Sequence, residues 1–125
     1  MRDATLTIID VYSQQYHWRS WPIILDVLPE LDGQAVLDLG CEIGDLAADL
    51  SARGASIVGV DVNEEVIAYA NSRHIRNAIF RKSDVRTFRD PSLLVDGIWS
   101  SFTAAYCPAL SDILAPCLEH LRPGG

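Results

Sequence analysis

Val36-Leu37-Asp38-Leu39-Gly40-Cys41-Glu42-Ile43-Gly44, with Ser56-Ile57-Val58-Gly59-Val60-Asp61 after it, is the stretch on which the fold turns. An apolar run of strand length stops at Gly40, and a second glycine follows at 44. Between the two runs, Asp45 to Arg53 sets Leu46, Ala47 and Leu50 at helical spacing, and Gly54 supplies the stop. Strand, glycine turn, helix and strand make the repeating unit of a parallel sheet. A glycine turn at the end of the first strand lets backbone approach a ligand that side chains would exclude. Asp61 closes the second strand, 21 residues after Gly40, where a carboxylate can accept hydrogen bonds from ribose hydroxyls.

The flanking segments extend the same alternation. Ser20 caps a helix that opens at Trp21-Pro22 and runs to Leu28, stopped by Pro29 and the Asp32-Gly33 turn. Asn63 caps a helix with Glu64 and Glu65 in its first turn and Val66, Ile67 and Ala70 as its apolar stripe. Ala78 to Arg81 reads as a third strand, ending near Ser83-Asp84. Leu93-Leu94 reads as a short helical turn and Asp96 to Ser100 as a fourth strand. A last helix is expected over Pro108 to Leu121, with Leu110, Ile113, Leu114, Cys117, Leu118 and Leu121 on one face and a kink at Pro116. Continuous apolar strands predict a mostly parallel sheet covered on both faces: an α/β fold in three layers, α/β/α, with about four strands. Residues 1–33 form an N-terminal helical or lid segment, and residues 34–125 the main domain.

Composition limits the function classes. The 125 residues carry 17 Asp and Glu against 10 Lys and Arg, a net charge of −7, and 49% are apolar. That suffices for one packed domain without disulfides or a metal, and is too apolar for a disordered tail. The negative balance argues against a coat for nucleic acid or an anionic membrane. Six of the ten basic residues (Arg73, Arg76, Arg81, Lys82, Arg86, Arg89) cluster between positions 73 and 89. They suit a solvated helix end and sheet edge better than a nucleic-acid patch, since no aromatics are interleaved. Cys41, Cys107 and Cys117 are an odd set without a Cys-x-x-Cys pair, as expected of reduced thiols in a cytoplasmic protein. The apolar runs 21–28 and 55–62 are far shorter than the ~20 residues of a membrane span. His17, His74 and His120 lack ligand spacing, so no metal is expected.

The loop chemistry narrows the ligand. A dinucleotide fingerprint wants glycine at the first, third and sixth loop positions, here Gly40, Glu42 and Asp45. One of three fits, and a pyrophosphate would meet like charge. A cationic ligand without phosphate suits the loop better, which describes S-adenosylmethionine with its sulfonium and ammonium groups.

These residues resemble class I S-adenosylmethionine-dependent methyltransferases. Residues 36–44 are similar to that family's first motif, Val58-Gly59-Val60-Asp61-Val62-Asn63 to its second, and Ser83-Asp84-Val85 to the acid after strand three. Asp96 to Ser101 resembles the fourth-strand motif, and Leu118 to Gly125 the turn before strand five. The resemblance implies a Rossmann-like sheet in the order 3-2-1-4. It implies that Gly40, Cys41 and Gly44 shape the loop beside the methionine part, with Asp38 setting that loop or meeting the amino group. Asp61 would bind the ribose, Val62 would pack on the adenine, Asp84 would accept from the adenine amino group, and Val85 would pack nearby. Ser100 would lie near the transferred methyl, and Tyr16 and Arg19 would close over the cofactor as a lid.

Two departures stand out. Glu42 occupies the family's middle glycine position, so its side chain either points away or touches the cofactor's positive end. The family's sheet has seven strands, and four are found here. The expectation is a chain cut before the fifth strand, incomplete at its C-terminus, whose open fourth-strand edge pairs with a second copy. The function expected is methyl transfer to a small-molecule acceptor, needing a longer chain. The alternatives are a non-catalytic cofactor-binding or interaction module and, disfavoured by the loop, a nicotinamide-dependent oxidoreductase. No catalytic residue is assigned. His17 is the one histidine near the lid, and Trp18, Trp21, Phe102 and Tyr106 would serve as an acceptor pocket or as core.

Overall fold

Four strands pair in parallel in the order β3-β2-β1-β4. They are β1 (Ala35–Leu39), β2 (Ser56–Asp61), β3 (Ala78–Lys82) and β4 (Gly97–Ser100). The computed structural model describes residues 6–19, 21–101 and 103–125; the expected cap Ser20 and pocket aromatic Phe102 lie outside the described residues. β1 is an interior strand between β2 and β4, and its residues 36–39 are all buried, as a strand covered on both faces must be. Register sets Val36 opposite Ile57 and Leu39 opposite both Val60 and Ser100, so the carboxyl ends finish level.

The period-two alternation sorts side chains to two cores. Val36 and Ile57 pack with Trp21 and Leu25 of α2 (Trp21–Asp26), Leu46, Ala47 and Leu50 of α3 (Asp45–Ala52), and Ile67 and Ala70 of α4 (Glu64–Ser72). Leu37, Leu39 and Val60 pack on the other face with Phe88, Val95 and residues Ile113 and Cys117 of α5 (Ser111–Leu118). Helices on both faces complete the three layers. No helix among the described residues is long and apolar enough to cross a membrane.

The N-terminal segment contains a helix the reading above does not place, α1 (Ile8–Trp18). Thr7 caps it: Asp10 N–H donates to Thr7 Oγ1 at 3.1 Å, and Thr7 N–H donates to Asp10 Oδ2 at 3.0 Å. Tyr16 of α1 stacks on Trp21 at 5.4 Å and donates its hydroxyl proton to Asp49 of α3.

The C-terminal third differs from expectation. α5 starts at Ser111 rather than Pro108 and stops at Leu118 rather than Leu121. Its end is set from afar: Val95 N–H donates to His120 O at 2.8 Å and Arg122 N–H to Val95 O at 2.9 Å, drawing residues 120–122 into a parallel bridge. Pro116 sits inside the helix and is buried. The expected single apolar face is split, because Ile113 and Cys117 are buried while Leu110, Leu114 and Leu118 are exposed. Leu93-Leu94 forms no helical turn, and a 3-10 turn (Thr103–Tyr106) follows β4 instead. Five of the six clustered cations are matched by acids: Arg73 with Asp45, Arg81 with Asp90, Lys82 with Glu64, Arg86 with Asp84 and Arg89 with Glu119.

Gly59, in the middle of β2, packs against Cys41 of the turn before α3 and against Phe80 of β3. A Cβ there would lie 2.7 Å from both Cys41 Cβ and Phe80 Cδ1. Gly59→Ala is expected to overpack this contact and cost about 1–3 kcal/mol. A lower urea midpoint at unchanged slope checks it.

Candidate ligand site at the carboxyl edge of the sheet

A cavity of about 500 Å³ lies where the four strands end. Gly40 and Glu42 enter it from the turn after β1, Asp61, Val62 and Asn63 from the end of β2, and Asp84, Val85 and Arg86 from the segment after β3. Ser101, Thr103, Tyr106 and Cys107 line it after β4, and Tyr12, Gln15 and Arg19 line it from α1 and its C-cap. A nucleoside-sized ligand fits such a volume.

The turn after β1 is shaped by two close constraints. Gly40 takes φ +76°, and a Cβ on it would overlap Thr103 Oγ1, which donates to Leu39 O at 3.0 Å. Glu42 takes φ +52°, a left-handed conformation that a non-glycine residue adopts at a cost. Its backbone N–H donates to Asp61 Oδ2 at 3.1 Å, while Asp61 Oδ1 accepts from Asn63 N–H at 3.0 Å. One carboxylate therefore ties the glycine turn to the start of α4. The Glu42 side chain does not point away: it lines the cavity, with Oε2 3.6 Å from Arg19 Nη1.

Asp38 is the most unusual group. It is 2% exposed, and its Oδ2 has no hydrogen-bond partner among the described residues. It borders a water-sized space of about 20 Å³ beside the main cavity, with Tyr16, Arg19, Cys41 and Ser101 among its neighbours. Burial, then the charges of Glu42 and Asp61, push its pKa up to about 7. Burial also raises the Glu42 carboxyl, against the lowering effect of Arg19, and raises the Cys41 thiol. Asp84 differs. The Arg86 guanidinium forks onto it, with Nη2 2.6 Å from Oδ2 and Nε 3.0 Å from Oδ1, and holds its carboxyl down at about 2.

Most of the residues expected at a site gather here. Gly40, Glu42, Asp61, Val62, Asp84, Val85 and Arg19 line the cavity, and Asp38, Cys41 and Tyr16 border the adjoining space. Gly44 does not line either; it starts α3 at φ +86°, against Phe80. Ser100 is exposed and lines neither, whereas Ser101 lines both, because successive residues at a strand end point to opposite sides. Of the expected aromatic pocket, only Tyr106 reaches the cavity among the described residues. Trp18 is 76% exposed, and Trp21 is core, stacked on Tyr16 and tilted against Trp99, bordering the smaller space alone. His17 flanks the Tyr16 ring and does not line the cavity. Tyr12 and Gln15 escape the sequence reading because α1 does; the Thr7-x-x-Asp10 capping box was the available signal.

Comparison with known proteins bears on this geometry. A family model described as a methyltransferase domain matches residues 36–125. The trans-aconitate 2-methyltransferase of Deinococcus radiodurans is 32% identical over 120 residues, covering 93% of this chain and 45% of that protein. The crystal structure of an S-adenosylmethionine-dependent methyltransferase from Mesorhizobium loti superposes with a TM-score of 0.76 at 26% identity, over 84% of this chain and 50% of that one. The plantazolicin methyltransferase BpumL in complex with SAH (S-adenosylhomocysteine) gives 0.65 at 26% identity, over 71% of this chain and 35% of that one. The chain thus spans half or less of the length of each.

The raised Asp38 carboxyl makes stability pH-dependent. Folded Asp38 holds its proton up to about pH 7, whereas unfolded Asp releases it near pH 4, so the folded state binds more protons in between. Stability contributed at low pH is therefore lost as pH rises from about 4 to 7. Asp38→Asn is expected to raise the melting temperature at pH 8 and leave it nearly unchanged at pH 4. Thermal denaturation across that range checks the sign.

Proposed function

Because this chain belongs to the class I S-adenosylmethionine-dependent methyltransferase family, we propose that its cavity binds S-adenosylmethionine and directs methyl transfer to a small-molecule acceptor. The observation that carries the reading is the buried, unpartnered Asp38 oxygen beside Glu42 and Asp61. The charges of Glu42 and Asp61 add to burial in raising the Asp38 carboxyl, an arrangement poorly placed for a phosphate and well placed for a cation. The cofactor's ammonium and sulfonium supply positive charge, so the residues present fit the group. A pyrophosphate would face Glu42, and the nicotinamide alternative has no support from the comparisons either.

S-adenosylmethionine supplies an electrophilic methyl group on its sulfonium sulfur. The protein's own part is positioning and electrostatics. In this reading Asp38 and Glu42 hold the ammonium, and the Gly40 backbone lies close against the amino-acid end. Asp61, already oriented by two backbone N–H groups, accepts from the ribose hydroxyls. Val62 and Val85 flank the adenine, and Asp84 accepts from its amino group. No histidine lines the cavity among the described residues, and no general base is assigned.

One relative, the trans-aconitate enzyme, is named for methyl transfer to a small acid, which supports a small-molecule acceptor. Calorimetry with S-adenosylmethionine, S-adenosylhomocysteine and NAD tests the reading. Heat is expected with both adenosyl ligands and not with NAD. Asp61→Ala is expected to weaken adenosyl binding roughly hundredfold, as two hydrogen bonds to a charged acceptor are lost. Adenosyl binding left intact by that change would sink the assignment.

The outer edge of β4 is included in the proposal. β4 pairs with β1 on one side, and among the described residues no strand pairs with the other. An open backbone edge recruits another strand, so self-association is expected. Sedimentation at micromolar concentration should show a dimer or larger species, and a stable monomer counts against it.

A further inference from the structure

α1 and its C-cap turn one face to the cavity. Tyr12, Gln15 and Arg19 are spaced three and four residues apart, line it together, and all carry hydrogen-bond donors. Burial and the carboxylates Asp61 and Glu42 raise the Tyr12 pKa, so its hydroxyl stays protonated. Gln15 Oε1 accepts from Arg19 Nη2 at 3.2 Å, which orients the guanidinium. Arg19 Nη1 stands 3.6 Å from Glu42 Oε2, beyond ordinary hydrogen-bond length. Arg19 also borders the small space beside Asp38, so it sits where the two cavities meet.

The next step rests on the cofactor assignment above. With the nucleoside half on Asp61 and Asp84, at the ends of β2 and β3, the α1 and β4 side is left to the acceptor. Glu42 then faces two cations, Arg19 and the cofactor's ammonium. Sharing one carboxylate weakens its hold on each. An acceptor approaching past a guanidinium whose ion pair has been weakened is favoured if it is an anion, and a planar carboxylate matches the guanidinium fork. We propose that Arg19, flanked by Tyr12 and Gln15, determines acceptor specificity by reading a small carboxylic acid, and that the acid binds after the cofactor.

Calorimetry on the chain tests this with S-adenosylhomocysteine as cofactor probe, since it retains the ammonium. Benzoate, succinate and tricarballylate serve as acceptor probes, each beside its neutral amide. With S-adenosylhomocysteine bound, at least one acid is expected to bind tenfold or more tightly than its amide, and to lose roughly that factor without it. Arg19→Gln is expected to erase the acid preference and, by leaving Glu42 to the ammonium alone, to tighten S-adenosylhomocysteine a few-fold. A residue that merely covers the cofactor would loosen it instead. Arg19→Lys, which keeps the charge without the fork, should retain part of the preference, and it carries the test if circular dichroism shows that Arg19→Gln misfolds. Three results overturn the inference while leaving the cofactor site standing: acids and amides binding alike, a preference that survives Arg19→Gln, or weaker S-adenosylhomocysteine binding in that variant. Failure of S-adenosylhomocysteine to bind the unaltered chain overturns both readings.

Discussion

A strand buried on both faces can present polar chemistry only where it ends. β1 meets that constraint inside the sheet, with Leu37 and Leu39 sealed into one core and Val36 into the other. Its parallel neighbours stop at the same level, so every turn that follows a strand opens onto one edge. The cavity lies at that edge because the strands are parallel, and a ligand held there can be touched by four separate chain segments. Gly40 and Thr103 show how tightly the segments approach, since no side chain fits between them.

The same geometry carries an electrostatic cost. Asp38 is drawn into the core by its place in β1, two residues from Val36 on the same side, and it lacks a partner for one oxygen. Glu42 adds a second acid in a left-handed turn position where glycine would be less strained. Asp61 adds a third, but two backbone donors repay its burial. Strain and unpaired charge gathered at one place are the usual mark of a site shaped for binding rather than for stability. The charges away from the edge are arranged conventionally, with basic residues set against acids across the surface of β3 and its flanking turns.

Local signals made much of the architecture legible. The apolar runs at 36–39 and 56–60, the glycines at 40 and 54, and the Asn63 cap all act through neighbouring residues, and the structure has the elements they announce. α1 is nearly illegible in the sequence because it buries none of its residues and so lacks a strong apolar stripe; only its capping box marks it. α5 is shorter than its apolar pattern predicts because a bridge from Val95, far away in sequence, ends it. That Ser101 rather than Ser100 lines the cavity is not written locally, because the pleat direction at the end of β4 depends on pairing with β1.

By itself, the sequence determined the strand order within the chain, the glycine turn, the acids at the strand ends and the family they mark, because each of these is written in adjacent residues and their spacing. Only the tertiary structure decided that Glu42 turns inward toward Arg19, that Asp38 is left with an unpartnered oxygen, and that α1 brings Tyr12, Gln15 and Arg19 to the cavity. The physical reason is that burial and ion pairing depend on which distant segments are packed together, and no local pattern of residues records that.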